Sequence, residues 1–403
     1  MKRSSSSLAL TGGALLAPAW VRAAGELGPP DLPAGALESA ALDALPGKVP
    51  LIKKTFRPPN YETPLSYFRE AYTPNEAFFV RYHVGRIPSV DAREWTLKVS
   101  GDAAERAVEL SLDDLKKNFE QVELAALCLC SGNRRGLSQP HVAGVQWGHG
   151  AMGNARWKGV RLRDVLTSIG VKKDALEVSF DGADSGIFDK TPDFIKSIPV
   201  WKALDENTLV AFEMNGQPLP HWNGFPARIV VPGWTATYWM KHVTSVQLLS
   251  QPLKSFWMNP GYRIPKGKFP IVDRFVSQES EVNTPITEMV VNSLIVNPLD
   301  GARVARGQPV EAEGIAWDGG YGITMVEVSQ DAGQTWRAAK LGADLGRFSW
   351  RQWSYGLVPD NSGPLVVLAR AINKLGATQT QELLFNPAGY HNNVVQRLRL
   401  QVS

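Results

Sequence analysis

Cysteine is nearly absent. The 403-residue chain holds two, Cys128 and Cys130, one residue apart in "CLCSGNRRG". No disulfide framework is available, and a bridge between positions i and i+2 would be strained. Zinc and iron–sulfur sites want more ligands, and the Cys-x-x-Cys-His of a covalently attached haem does not occur. No Gly-x-Gly-x-x-Gly run follows a strand-like segment, so the usual flavin and nicotinamide fingerprint is missing. The net charge is only +4, with no basic run or stripe, which argues against nucleic acid as a partner. Beyond the first residues no apolar stretch reaches membrane-spanning length.

What is present describes a globular protein: 44% hydrophobic and 20% charged residues, in a chain too long for one ordinary domain. Thirty-six Gly, 28 Pro and 13 Trp favour short strands and many turns over long helices. At the start, Lys2 and Arg3 precede an apolar stretch from Leu8 to Trp20, and Val21-Arg22-Ala23 fits a small-x-small cleavage site. Residues 1–23 therefore read as an export signal and the mature protein as soluble. Removing them takes away three bases and no acids, which brings the net charge to about +1. The Lys-Arg pair leaves the export route open, because the folded-protein route favours Arg-Arg.

Residues 24–75, rich in Pro and Ala, read as an extended N-terminal arm. From Phe78 onward β-like runs begin: "AFFVRYHV", "WTLKVSG", "QVELAALCLC", "LEVSFDG" and "PARIVVPG". Two helices interrupt them. Ser111 and Asp114 form a capping box ahead of "LDDLKKNF". "RLRDVLTSIG" carries Leu162, Val165, Leu166 and Ile169 on one face and stops at Gly170. Residues 76–285 thus read as a mixed α+β domain. After "SQESEVNTPITE" only short strands follow, with "SQDAGQTW" as a hairpin turn, so residues 286–403 predict an all-β immunoglobulin-like sandwich.

The cysteines by themselves leave two readings open. A buried free thiol is a small hydrophobe. A thiolate is a soft-metal ligand or a nucleophile, and Arg134 and Arg135 within five residues of Cys130 favour thiolate. The same guanidiniums suit an oxyanion, or else form a solvated charged turn.

Three segments together are similar to the sulfite oxidase family of molybdenum enzymes: "FFVRYH" (78–83), "CSGNRR" (130–135), and "GFPARIVVPG" (224–233) with "YWMKHV" (238–243). "ARWKGVRLRDVL", "AFEMNGQPLP" and "NPGYR" follow in the expected order, and the exported layout resembles that of haem-free bacterial periplasmic sulfite dehydrogenases. The resemblance covers roughly residues 75–403. It implies oxidation of sulfite to sulfate at a molybdenum–molybdopterin centre, with no haem in this chain and electrons leaving singly to an external c-type cytochrome or similar haem protein. It also implies a homodimer held by the sandwich.

By position, the resemblance makes Cys130 the thiolate on the metal and leaves Cys128 a packed residue. Arg81, Arg135 and Tyr262 fall around the substrate oxyanion. Phe79, Val80, Arg81, His83, Asp184, Asn223, Arg228, Trp239, Met240 and Lys241 fall around the pterin and its phosphate, and Trp147 is expected to line the pocket. One departure stands out. Ala388 occupies a position where animal relatives carry Arg, and Arg397 is a candidate to supply that charge. The alternatives are a sister molybdenum enzyme, either a sulfane dehydrogenase subunit or a sulfoxide reductase, and a non-catalytic secreted binding protein.

Overall fold

The computed structural model describes residues 42–43, 45–269 and 274–403. The expected export signal lies outside the described residues, as does the arm before residue 42. The remainder of the arm is built into the fold. It supplies β1 (Leu42–Asp43), β2 (Leu51–Thr55) and β3 (Asn60–Glu62), which pair in that order onto β4 (Val80–Arg81). "AFFVRYHV" thus contributes a strand of only two residues, because a buried cluster of Leu51, Tyr61, Val80 and Tyr82 holds it locally in place of a long ladder.

Next come β5 (Thr96–Ser100), β6 (Val108–Ser111), α1 (Leu112–Asn118), β7 (Gln121–Leu129), β8 (Met152–Arg161), α2 (Leu162–Ile169), β9 (Glu177–Gly182) and β10 (Lys196–Pro199). They are followed by α3 (Val200–Ala203), β11 (Leu209–Met214), β12 (Gln217–Pro218), β13 (Arg228–Val230) and β14 (Val243–Leu249). One sheet runs β10-β9-β14-β5-β6, with β14 and β5 parallel. A second runs β12-β11-β8-β7, with β13 also on β11. The two longer helices, α1 and α2, arise for the local reasons visible in the chain. In α1 the Ser111 hydroxyl accepts from the Asp114 N–H, and the Asp114 carboxylate accepts from the Ser111 N–H. In α2 the face Leu162, Val165, Leu166 and Ile169 is buried, and Gly170 follows at φ 81°, a conformation that strains any residue with a Cβ.

A short pair, β15 (Arg263–Pro265) and β16 (Asn283–Pro285), leads into the β-sandwich. Its strands are β17 (Asn292–Asn297), β18 (Arg303–Val304), β19 (Val310–Trp317), β20 (Ile323–Ser329), β21 (Arg337–Ala338), β22 (Lys340–Leu341), β23 (Arg351–Leu357), β24 (Gly363–Asn373) and β25 (Gln396–Val402). They form two sheets, β17-β19-β23-β22 and β18-β25-β24-β20-β21, around a shared apolar core. A separate apolar seam ties the sandwich to the α+β part. Phe68, Leu127, Leu129 and Met152 meet Met289, Leu294, Ile315, Trp317 and Trp350, and the Leu127 N–H donates to Phe348 O at 2.9 Å. At roughly 1.5–3 kcal/mol per large buried side chain, this seam is strong enough to hold the end of β7, and hence Cys130, against the sandwich. Among the described residues no helix is long and apolar enough to cross a membrane.

Candidate active site

β7 ends at Leu129, and Cys130 is the first residue beyond it. The turn that follows is stapled to the segment leading into β8. Cys130 N–H donates to Ala151 O at 2.9 Å, Arg134 N–H to Gly148 O at 2.8 Å, and Asn133 Oδ1 accepts from the Ala151 N–H at 3.1 Å. The Arg135 guanidinium folds back over the turn, so a Cβ at Gly132 would sit 2.6 Å from it and displace that end of the side chain. Both cysteines are free and buried, and both reach the same cavity, as a two-residue spacing along a strand dictates. Cys128 is thus a packed core residue that also lines the cavity. Burial pushes its thiol up to about 11 against the pull of Arg228, whose Nη2 lies 3.9 Å from the sulfur.

The pocket spans about 580 Å³ when the space open to solvent is included. It brings together Phe79, Arg81, His83, Cys130, Asp184, Asn223, Arg228, Trp239, Met240, Lys241 and Tyr262 of the residues singled out in the sequence, from segments more than 180 positions apart. Three cations, Arg81, Arg228 and Lys241, face one carboxylate, Asp184. Burial lowers the pKa of Arg228 and draws Lys241 down to about 7, while it raises Asp184. Arg228 donates to Asn223 O at 3.0 Å and Trp239 O at 3.1 Å, yet its buried Nε has no partner. The Lys241 Nζ sits 3.3 Å from the Tyr82 ring centroid. Thr237 also lines the cavity, and its buried hydroxyl has no partner.

On the other wall, His83 Nε2 is hydrogen-bonded to the Tyr262 hydroxyl. The His83 ring stacks on Phe194, with centroids 3.6 Å apart and planes 9° apart. Burial, reinforced by Arg81, Lys241 and Lys196, holds the His83 pKa well below the usual range, so the ring is neutral. Tyr262 has φ 59° and stacks on Tyr390, with centroids 5.5 Å apart and planes 8° apart. Burial raises its phenol pKa.

Four expectations land elsewhere. Val80 is buried in the cluster with Leu51, Tyr61 and Tyr82 and is not among the lining residues. Arg135 stands one ring back. Its Nε donates to Ala388 O at 2.8 Å and its Nη1 to Val145 O at 3.2 Å, and its guanidinium lies 5.3 Å from the Tyr390 centroid. Trp147 is fully buried outside the lining. Arg397 does not replace a pocket charge, because its pairing with Leu368 fixes it in the sandwich sheet of β24 and β25.

Sequence reasoning also missed residues. Lys48, in the aperiodic arm, donates to Asn223 Oδ1 at 2.6 Å and to Phe78 O at 3.0 Å, tying the arm to the cavity wall. Ser131 and Phe194 line the cavity as well. A serine beside the cysteine was the one local signal available. The others carry none.

Residues 84–257 match the family model of an oxidoreductase molybdopterin binding domain, and residues 283–403 that of a Mo-co oxidoreductase dimerisation domain. Over 397 residues the chain is 36% identical to the mitochondrial sulfite oxidase of Homo sapiens, a match covering 94% of this chain and 71% of that protein. The chain belongs to the sulfite oxidase family. Sulfite oxidase of Gallus gallus, another member, is 33% identical over 363 residues, 87% of this chain and 77% of that protein. Among solved structures, the sulfane dehydrogenase SoxCD from Paracoccus pantotrophus superposes with a TM-score of 0.75 over 98% of this chain and 93% of that chain, at 22% identity, and so shares the fold.

The family's cofactor, molybdenum held by molybdopterin, is the cofactor of this chain, and the site fits it. The cavity offers a soft donor in the Cys130 thiol, a cationic surplus for a phosphate, and the unpartnered Arg228 Nε and Thr237 hydroxyl for a polar heterocycle. Buried donors left without acceptors are costly in a finished fold, and a polyanionic ligand relieves that cost.

Proposed function

We propose that the chain is a sulfite dehydrogenase: it oxidises sulfite to sulfate and passes the two electrons singly to an external haem protein of c type. When bound, the molybdenum centre supplies the two-electron chemistry, in which sulfite and water give sulfate, two protons and two electrons. The chain's own residues bind and orient. Cys130 Sγ would hold the metal. Phe79, Val80, His83, Asp184, Asn223, Arg228, Trp239, Met240 and Lys241 would hold the pterin through main-chain and side-chain contacts, with Val80 acting by placing its neighbours. Arg81 and Tyr262, with Arg135 behind Tyr390, would receive the substrate oxyanion, each charge-assisted bond being worth about 1.5–3 kcal/mol. Neutral His83 fixes the Tyr262 hydroxyl and adds no competing charge.

The observation that carries the reading is the convergence of three cations and one carboxylate on the cavity that Cys130 opens into. Arg228 and Lys241 suit the pterin phosphate, which leaves Arg81, with Tyr262, for a free dianion such as sulfite. The test is molybdenum analysis of the purified protein together with steady-state reduction of ferricyanide and of a c-type cytochrome by sulfite. Turnover with sulfite and none with a carrier-bound sulfane sulfur supports the reading. The reverse pattern makes the chain a sulfane dehydrogenase, reduction of a sulfoxide a sulfoxide reductase, and absence of molybdenum a binding protein. Within this reading residues 1–23 are an export signal to the periplasm, 24–75 the arm, 76–285 the catalytic domain and 286–403 the immunoglobulin-like domain that pairs two copies.

A further inference from the structure

Lys196 has no part in the roles described so far. It stands on β10 opposite Phe180 of β9, and its side chain is fully buried. Its Nζ donates to Trp257 O at 2.6 Å and lies 4.7 Å from the Tyr238 centroid and 4.8 Å from the Tyr262 centroid. No salt bridge to a carboxylate forms at Lys196 among the described residues. The ionisable groups facing it are Arg263 from β15, Tyr238 from the turn before β14, Tyr262, and neutral His83 beyond.

A buried ammonium with no counter-charge is unstable in its charged form, and Arg263 adds to the cost. Burial and Arg263 accordingly draw the Lys196 pKa well below the ordinary lysine range. Two π faces and a carbonyl work the other way, since each offers negative potential to a cation. Full burial without a carboxylate partner disfavours the charge on Lys196, the two rings and the carbonyl favour it, and the Tyr262 ring, whose centroid lies 4.8 Å from Nζ, is itself part of the cavity lining. Negative charge arriving in the cavity shifts that balance toward the ammonium form.

We propose that Lys196 is a positioning residue for the anion pocket: it seats the Tyr262 ring from behind and takes up a proton when an oxyanion enters, making anion binding proton-linked. The proposal rests on the oxyanion-pocket reading above and names a residue and a proton that the reading does not include. The step is an acid–base one. A proton from solvent binds the Lys196 amine as the anion binds, and it is released when the anion leaves.

The test uses the molybdenum-loaded protein with sulfate as the probe. Calorimetric titration in two buffers of unlike ionisation heat yields both the affinity and the protons taken up per anion. Lys196→Met keeps the apolar stem without charge or donor. Lys196→Gln keeps a donor for Trp257 O without charge. Both variants are expected to bind sulfate about tenfold more weakly and to take up fewer protons than the parent. The uptake due to Lys241, which faces the same cavity, should remain. Parent-like affinity in either variant overturns the proposal, as does weaker binding with unchanged proton uptake, which would mark a merely structural role. Failure of the parent to bind sulfate overturns it too. Lys196-dependent, proton-linked binding in a protein that does not oxidise sulfite would sink the sulfite reading and leave Lys196 standing.

Discussion

Serine replacement separates the two cysteines, which differ in their surroundings though only one residue lies between them. Cys128 is 1% exposed, its thiol is pushed up to about 11, and its sulfur lies 3.9 Å from Arg228 Nη2. At pH 8 only about one part in a thousand of such a thiol is thiolate. Cys128→Ser places a hydroxyl in the same space. Left unpaired it would cost about 1–3 kcal/mol, but the Arg228 guanidinium can donate to it, so a loss near 1 kcal/mol is expected, with molybdenum content and turnover retained. Cys130→Ser exchanges a soft sulfur for a hard, poorly ionised oxygen and should remove metal and turnover together, with little change in folding. The assay has two arms. Metal analysis and sulfite turnover are measured on both variants, and molybdenum-free protein is alkylated with iodoacetamide at pH 8. One thiol should react promptly, and it should be the one missing from Cys130→Ser. Prompt labelling of Cys128, or equal metal loss in two normally folded variants, refutes the reasoning.

The arginines should divide by distance from the cavity. Arg81→Gln, which strips a charge from the lining, should raise the sulfite KM more than Arg135→Gln, whose donors are already engaged by Ala388 and Val145 carbonyls. Steady-state kinetics on metal-replete variants checks the order, and a larger effect at Arg135 reverses it. A further expectation concerns Glu62, buried beside Lys54 at 3.3 Å, whose carboxyl burial pushes up from 4.5 to about 7. Between those values the folded state binds more protons than the unfolded one. Stability should therefore fall as pH rises from about 4.5 to 7, by about 3 kcal/mol, and then level off. Glu62→Gln should flatten that window in urea unfolding followed at several pH values. An unchanged slope would mean that the carboxyl titrates normally.

Parts of this architecture could be read directly from the chain because their causes are local. The Ser111–Asp114 capping box, the buried stripe of α2 and its stop at Gly170 depend on residues within a turn or two of one another. The alternating runs of the C-terminal third were legible as strands, although their pairing is long-range, β18 joining β25 across 98 positions. "AFFVRYHV" was the exception, a run with strand composition that long-range packing reduced to Val80–Arg81.

The site divides along the same line. The two cysteines form no haem-attachment motif and no dinucleotide fingerprint follows a strand, and the ordered motifs marked Cys130, Arg81, Arg228, Lys241 and Tyr262 as one constellation. Only the tertiary structure decided which of these share a wall. Arg135 follows Arg134 in a cationic turn, yet carbonyls from positions 145 and 388 claim its donors, and no spacing rule reaches across 253 residues. Lys48 in an aperiodic arm and Lys196 in a short strand carry no motif at all. Each matters because folding removes its ammonium from water and sets it against a partner distant in sequence: Asn223 Oδ1 for Lys48, and the Trp257 carbonyl and Tyr262 ring for Lys196. A sequence shows which groups carry charge. How much of that charge persists depends on burial and neighbours, which exist only once the chain has folded.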